Sequence, residues 1–225
     1  GDTSNDATLS LTFTSSEATS DFVKADISVT GGSLGDLSGS GTTYTATFTP
    51  SGVGATTIDV DSGKFIDATG NSNTAAPQFN WTYDGTDPTL SSVSIASDNS
   101  TTTLAKVSNV VTLTFTASET ISTPTVTFLS GGAAITDTSV TYANTSGNTW
   151  TAAYTVDASD TSGSVTYSIA FTDTVGNSGG AVTSGSGSVT FDKTAPTMTI
   201  TATGVSDGDT SNDATLSLTF TSSEA

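Results

Sequence analysis

The side chains of this sequence that could do chemistry are oxygen donors: Asp84, Asp87, Glu119 and the Asp173/Asn177 pair, with a second series of Glu17, Asp67, Asn71, Asp192 and Glu224. Carboxylates and amides of this kind suit a hard cation such as Ca2+, which gathers roughly six to eight oxygen ligands. Other chemistries lack their parts. The sequence has no histidine, no cysteine and no arginine, so a nucleophilic triad has no base and zinc has none of its usual soft ligands. Serine and threonine are too numerous for any one to stand out as a nucleophile. Paired carboxylates could in principle hydrolyse glycosides, but the acidic residues fall in turns and junctions, away from any expected pocket. The glycines lie in scattered turns instead of a phosphate-cradling loop. The chain is not expected to be an enzyme.

Charge narrows the partners. Twenty-two acidic residues against four lysines give a formal net charge of −18, which repels nucleic acid and anionic lipid. No apolar run is long enough to cross a membrane as a helix. Without disulfides each folded unit must hold by its core, assisted by metal at most.

The elements that would position these donors emerge from internal repetition. Residues 1–18 (GDTSNDATLSLTFTSSEA) recur unchanged at 208–225, a repeat period of 207 residues. A weaker half-repeat lies inside it. LTFTSSE (11–17) answers LTFTASE (113–119), DATGN (67–71) answers DTVGN (173–177), and DGTDPT (84–89) answers DKTAPT (192–197). The expected units are therefore 1–87, lacking its first strand, 88–195, complete, and 196–225, the first two strands of the next repeat.

Period-two alternation bounded by Gly, Asn and Asp marks the strands. In the second unit they centre on Val93/Ile95 (A), Val111/Leu113/Phe115 (B), Val126/Phe128 (C), a weak strand near Val140/Tyr142, Trp150 to Val156 (E), Val165 to Phe171 (F) and Val189/Phe191 (G). In the first they centre on Leu9/Leu11/Phe13 (B), Ile27/Val29 (C), Tyr44/Ala46/Phe48 (E), Ile58/Val60 (F) and Phe79/Trp81/Tyr83 (G). Met198, Ile200 and Ala202 form a strand A ahead of the second copy of B. Threonine favours pleated, solvent-facing surface, so the abundant threonine fits exposed strand faces. The fold class is all-β, as tandem immunoglobulin-like β-sandwich domains. The out-of-phase ends read as a window on a longer polymer; strand donation between chains is the alternative.

This topology assembles the donors. Strand A enters the end of a sandwich where the B–C and F–G loops lie. The linker carrying Asp84 and Asp87 is then expected to approach Glu119, Asp173 and Asn177. Asp192 should approach Glu224 in the same way, and Glu17, Asp67 and Asn71 form the matching half-site. The opposite ends carry Asp2, Asp6, Asp98, Asp157, Asp160, Asp207, Asp209 and Asp213, which could face the following linker.

The LTFT-x-SE strand, the D-x-x-GN loop and the D-x-T-x-PT junction together resemble the bacterial immunoglobulin-like domains of giant surface adhesins and surface-layer-like proteins. The resemblance covers essentially the whole chain. The antibody pattern is absent, since there is no cysteine pair and the tryptophans sit on strands E and G. It implies an extracellular structural module, a stalk or surface filament whose junctions are stiffened by calcium and whose partners are neighbouring repeats or like chains. Alternatives are a lectin-like adhesion module, disfavoured because copied repeats suit stalks, and a self-assembling surface layer.

Overall fold

The alternating stretches form strands because each offers one apolar face to a core and one threonine-rich face to water. The computed structural model describes residues 1–137 and 139–224. The first unit contains β1 (Thr3–Ser4), β2 (Leu9–Thr19), β3 (Ile27–Thr30), β4 (Gly32–Leu34), β5 (Ser38–Pro50), β6 (Gly54–Val60) and β7 (Phe79–Tyr83). They make two sheets, β1-β7-β6-β3 and β2-β5-β4. The second unit contains β8 (Leu90–Ser97), β9 (Leu104–Ala105), β10 (Val110–Ala117), β11 (Thr125–Ser130), β12 (Ala133–Ala134), β13 (Thr141–Ser146), β14 (Thr149–Thr155), β15 (Gly163–Ala170) and β16 (Thr190–Phe191). Its sheets are β13-β14-β10-β8 and β12-β11-β15-β16-β9. A hairpin follows, β17 (Met198–Ala202) antiparallel to β18 (Leu218–Ser222).

Each unit has its own core. In the second, alternation along β10 puts Val111, Leu113 and Phe115 at 0% exposure, packed with Phe128, Tyr154 and Ile169. Full burial of such side chains contributes about 1.5–3 kcal/mol each. In the first unit Leu11, Phe48, Ile58 and Trp81 form the equivalent centre, and Phe22 packs edge-on against Tyr44 and Phe65.

The first strand of the second unit is split between the two sheets. β8 lies antiparallel to β10, and after a turn β9 lies parallel to β16. The first unit has only the latter half. β1, where the sequence led us to expect no strand, runs parallel to β7, with Thr82 N donating to Asp2 O and Asp84 N to Ser4 O. Among the described residues nothing corresponds to β8 there, and β2 pairs with a strand, β5, on one side only.

Equivalent tight turns after β3 and β11 depend on glycine. Gly31 (φ 71°) and Gly131 (φ 56°) adopt left-handed backbone conformations that L side chains avoid. Among the described residues no helix is long and apolar enough to cross a membrane.

Candidate metal centre

The F–G loop of the second unit builds itself from five residues. Asp173 Oδ1 accepts the backbone N–H groups of Val175 (2.9 Å), Gly176 (2.6 Å) and Asn177 (2.8 Å). Asn177 Nδ2 donates to Asp173 Oδ2 at 2.7 Å, and Asp173 N donates to Asn177 O at 3.0 Å. Gly176 supplies the required φ of 103°. DATGN forms the same loop in the first unit, with Asp67 Oδ1 accepting from Thr69 N, the Thr69 hydroxyl and Asn71 N, all at 2.8 Å. Asn71 Nδ2 completes it with a 2.8 Å bond to Asp67 Oδ2.

The loop then grips the linker. Asn177 Nδ2 also donates to Asp84 O at 2.9 Å. Thr89 N donates to Ser118 Oγ at 3.0 Å, and Ser118 N returns a bond to Thr89 O at 2.8 Å. Asp84 leaves β7, Glu119 follows β10, and Asp173 follows β15. Docking the linker brings their carboxylates together, with one oxygen of each within 4.8 Å of the others.

The electrostatics of the cluster are uneven. Asp173 is 3% exposed. Burial alone would raise its pKa, but the bonds from Asn177, Val175 and Gly176 outweigh burial and hold it below the ordinary carboxylate value. Glu119 is pushed up, first by desolvation and then by the charges of Asp84 and Asp173. Asp67 is held at about 2, chiefly by Asn71. Among the described residues the one side-chain ion pair is Lys24–Asp36 at 3.7 Å, far from balancing this cluster. An all-oxygen, anionic donor set with no soft ligand suits a hard divalent cation better than zinc.

The structure therefore brings together Asp84, Glu119 and Asp173, with Asn177 positioning two of them. Asp87 is exposed and stands outside the cluster. Asp192 Oδ1 caps Thr194 N at 2.8 Å, much as Asp84 Oδ1 caps Thr86 N at 3.1 Å. Glu224 is held like Glu119, because Thr197 N donates to Ser223 Oγ and Ser223 N to Thr197 O, each at 2.9 Å. Among the described residues neither Asp192 nor Glu224 belongs to a cluster of three carboxylates. Glu17, Asp67 and Asn71 line one groove of the first unit without forming a three-carboxylate cluster.

The opposite ends are built differently from the expectation that their carboxylates face a linker. Asp160, 1% exposed, accepts from Thr136 N and its hydroxyl at 2.8 Å and from Asp157 N at 3.0 Å. The contact from the linker there is a cation: Lys193 Nζ donates to Asp160 O at 2.7 Å and Ala158 O at 3.1 Å. Asp98 caps Val110 N, Asp6 takes the Ser4 hydroxyl, and Asp209 and Asp213 bond to Ser206 N and the Ser211 hydroxyl. Sequence reasoning missed Asn5, whose Nδ2 donates to Asn177 Oδ1 at 3.2 Å, adding a first-unit side chain to the junction. Only its position just after β1 could have suggested it.

Residues 2–83 match the bacterial Ig-like domain family. No curated protein matches the chain. Among solved structures, Yersinia pseudotuberculosis InvD aligns over 89% of this chain and 60% of its own, at 18% identity and a TM-score of 0.37. The D00-D0 domain of intimin aligns over 85% and 95%, at 16% identity and 0.29. The I9-I11 tandem from titin aligns over 89% and 65%, at 13% and 0.35. The chain thus spans less than two thirds of the InvD and titin structures it aligns with.

Proposed function

We propose, from the premise that this chain carries a bacterial Ig-like domain followed by a unit repeating its motifs, that it is a structural repeat module of a cell-surface adhesin stalk or filament. In this reading its work is to hold consecutive domains in a fixed extended relation. Calcium at the junction is the stiffening device. The observation that carries the proposal is the meeting of linker and sandwich: Asp84, Glu119 and Asp173 converge within 4.8 Å, while Asn177 bonds to the linker carbonyl and to Asn5 of the first unit.

Asp84, Glu119 and Asp173 would hold the ion, which supplies the positive charge that the side chains here lack. Asn177 would orient two of these ligands, its Nδ2 donating to Asp173 Oδ2 and Asp84 O, while its Oδ1 accepts from Asn5. With the ion bound, separating the units would part its ligands, so bending at the linker is penalised.

Small-angle scattering and melting curves of the chain, in calcium and then in excess chelator, test the reading. Calcium should raise the melting temperature and leave a longer, narrower distribution of distances. A site held at one hundred times its dissociation constant adds about 2.7 kcal/mol. If neither stability nor maximum dimension responds, the carboxylates are loop caps and the stiffening claim fails.

A further inference from the structure

The linkers DGTDPT (84–89) and DKTAPT (192–197) are built on one plan. Each begins with an aspartate whose N donates to the first strand of the unit being left, Asp84 to Ser4 O and Asp192 to Ala105 O. Each aspartate caps the amide two residues on. Each linker ends on a threonine bonded to a serine of the next unit, Thr89 to Ser118 and Thr197 to Ser223. Their sharpest difference is the second residue, Gly85 in one and Lys193 in the other.

Lys193 turns back onto the unit it leaves. Its Nζ donates to Asp160 O at 2.7 Å and to Ala158 O at 3.1 Å, and its backbone N donates to Ser162 Oγ at 3.4 Å. These acceptors all belong to the loop joining β14 to β15, residues 156–162. The loop is shaped from within, because the buried Asp160 carboxylate gathers Thr136 N, the Thr136 hydroxyl and Asp157 N. The first unit has neither half of this arrangement. Gly85 has no side chain to reach back with, and the matching loop between β5 and β6 is only residues 51–53. A lysine without the long loop would find no carbonyls to hold, and the long loop without the lysine would leave two of its carbonyls to water. The two features are present together in one unit and missing together from the other.

We propose that Lys193 is a built-in clamp, fixing the path of the chain out of the second unit with its own positive charge. Bonds from an ammonium to carbonyl oxygens are shorter and stronger than neutral ones, and two from one side chain hold the backbone that carries it in a single direction. The 84–89 linker has no such group. Neither it nor the residues flanking Glu119 and Asp173 include a lysine, so positive charge reaches that cluster from an ion. The clamp stands on the Lys193 contacts alone, whereas its contrast with the other linker rests on the calcium reading. Taken together they make the two linkers of a repeat different in kind. Withdrawing calcium frees 84–89 and leaves 192–197 held at its exit, so the array gains a hinge at one linker of each pair instead of softening evenly along its length.

Amide hydrogen exchange on the full chain, read by mass spectrometry over peptides spanning 84–89 and 192–197, tests the clamp. Lys193→Met keeps the aliphatic stem of an exposed side chain and removes the donor. In that variant the amides of 192–197 should exchange about tenfold faster, in calcium and in chelator alike, while those of 84–89 keep their wild-type rates. Lys106→Met removes the same charge from an exposed lysine at the same end of the unit and should alter neither linker. In the unaltered chain, chelator should leave the 192–197 amides within about twofold of their rates in calcium. The proposal is overturned if Lys193→Met leaves 192–197 unchanged, if Lys106→Met loosens it as much, or if chelator alone frees it. Exchange at 84–89 reports separately on the calcium reading: if chelator leaves it unchanged, that reading fails while the effect of Lys193→Met still upholds the clamp.

Discussion

Asp173 and Glu119 share a site and have opposite effects on stability. Asp173 caps three backbone N–H groups that would otherwise go unsatisfied beneath the linker. Asp173→Ala is expected to cost about 2–3 kcal/mol in chelator as well as in calcium, read from urea midpoints. Since its folded pKa is lowered, the stability it gives is present above the ordinary carboxylate value of 3.8 and fades as pH falls through the folded value. Glu119 has a raised pKa, so its charge is a liability once pH climbs past its ordinary 4.5. In metal-free protein Glu119→Gln should raise the melting temperature at neutral pH by about 2 °C, and the gain should vanish in acid where the carboxyl is protonated. In calcium the same variant should melt below the wild type. That Asp84, Glu119 and Asp173 meet was legible, because repeated motifs and sandwich topology predict which loops meet. What spacing could not show is that the aspartate of D-x-x-GN is spent mainly on its own loop. Asn5 was illegible because an asparagine in GDTSND reads as one more turn former.

At the scale of elements the long strands were legible and the short ones were not. β2, β5, β10, β14 and β15 announce themselves by apolar alternation. β4 and β12 are two or three residues of Gly, Ser, Leu or Ala whose pairing is dictated by their neighbours' edges. β1 and β9 are likewise set by tertiary context, each a two-residue strand that no alternation of its own marks, lying along a last strand. β14 holds a defect the alternation conceals: Tyr154 is 2% exposed, its hydroxyl has no hydrogen-bond partner among the described residues, and burial followed by the charge of Asp160 pushes its pKa up. Tyr154→Phe removes an oxygen whose desolvation nothing offsets. It should be neutral or stabilising by up to about 1 kcal/mol in urea melts, whereas Tyr44→Phe should cost about that much, since the Tyr44 hydroxyl donates to Thr19 O at 2.7 Å. A loss of stability in Tyr154→Phe would show that its hydroxyl has a partner.

The whole molecule carries a net charge of −18 with one ion pair among its described side chains. Self-repulsion on that scale is screened by any salt, so metal-free protein should melt progressively higher as sodium chloride is added. Calcium should act at far lower concentration than sodium if the junction binds it, and the ratio of the two half-effect concentrations separates coordination from screening.

Finally, the two-residue pairings of β1 with β7 and of β9 with β16 place the first and last strands of each unit side by side and parallel. A module tugged from its two ends has these strands drawn in opposite directions. The bonds from Thr82 N and Asp84 N to the Asp2 and Ser4 carbonyls, and from Thr190 N and Asp192 N to those of Thr103 and Ala105, lie across that pull. They must therefore slide together and break at once, not unzip one by one. Stretching a single molecule from its two ends is expected to show a force peak that weakens when Ser4 or Ala105, whose carbonyls accept two of these bonds, is replaced by proline.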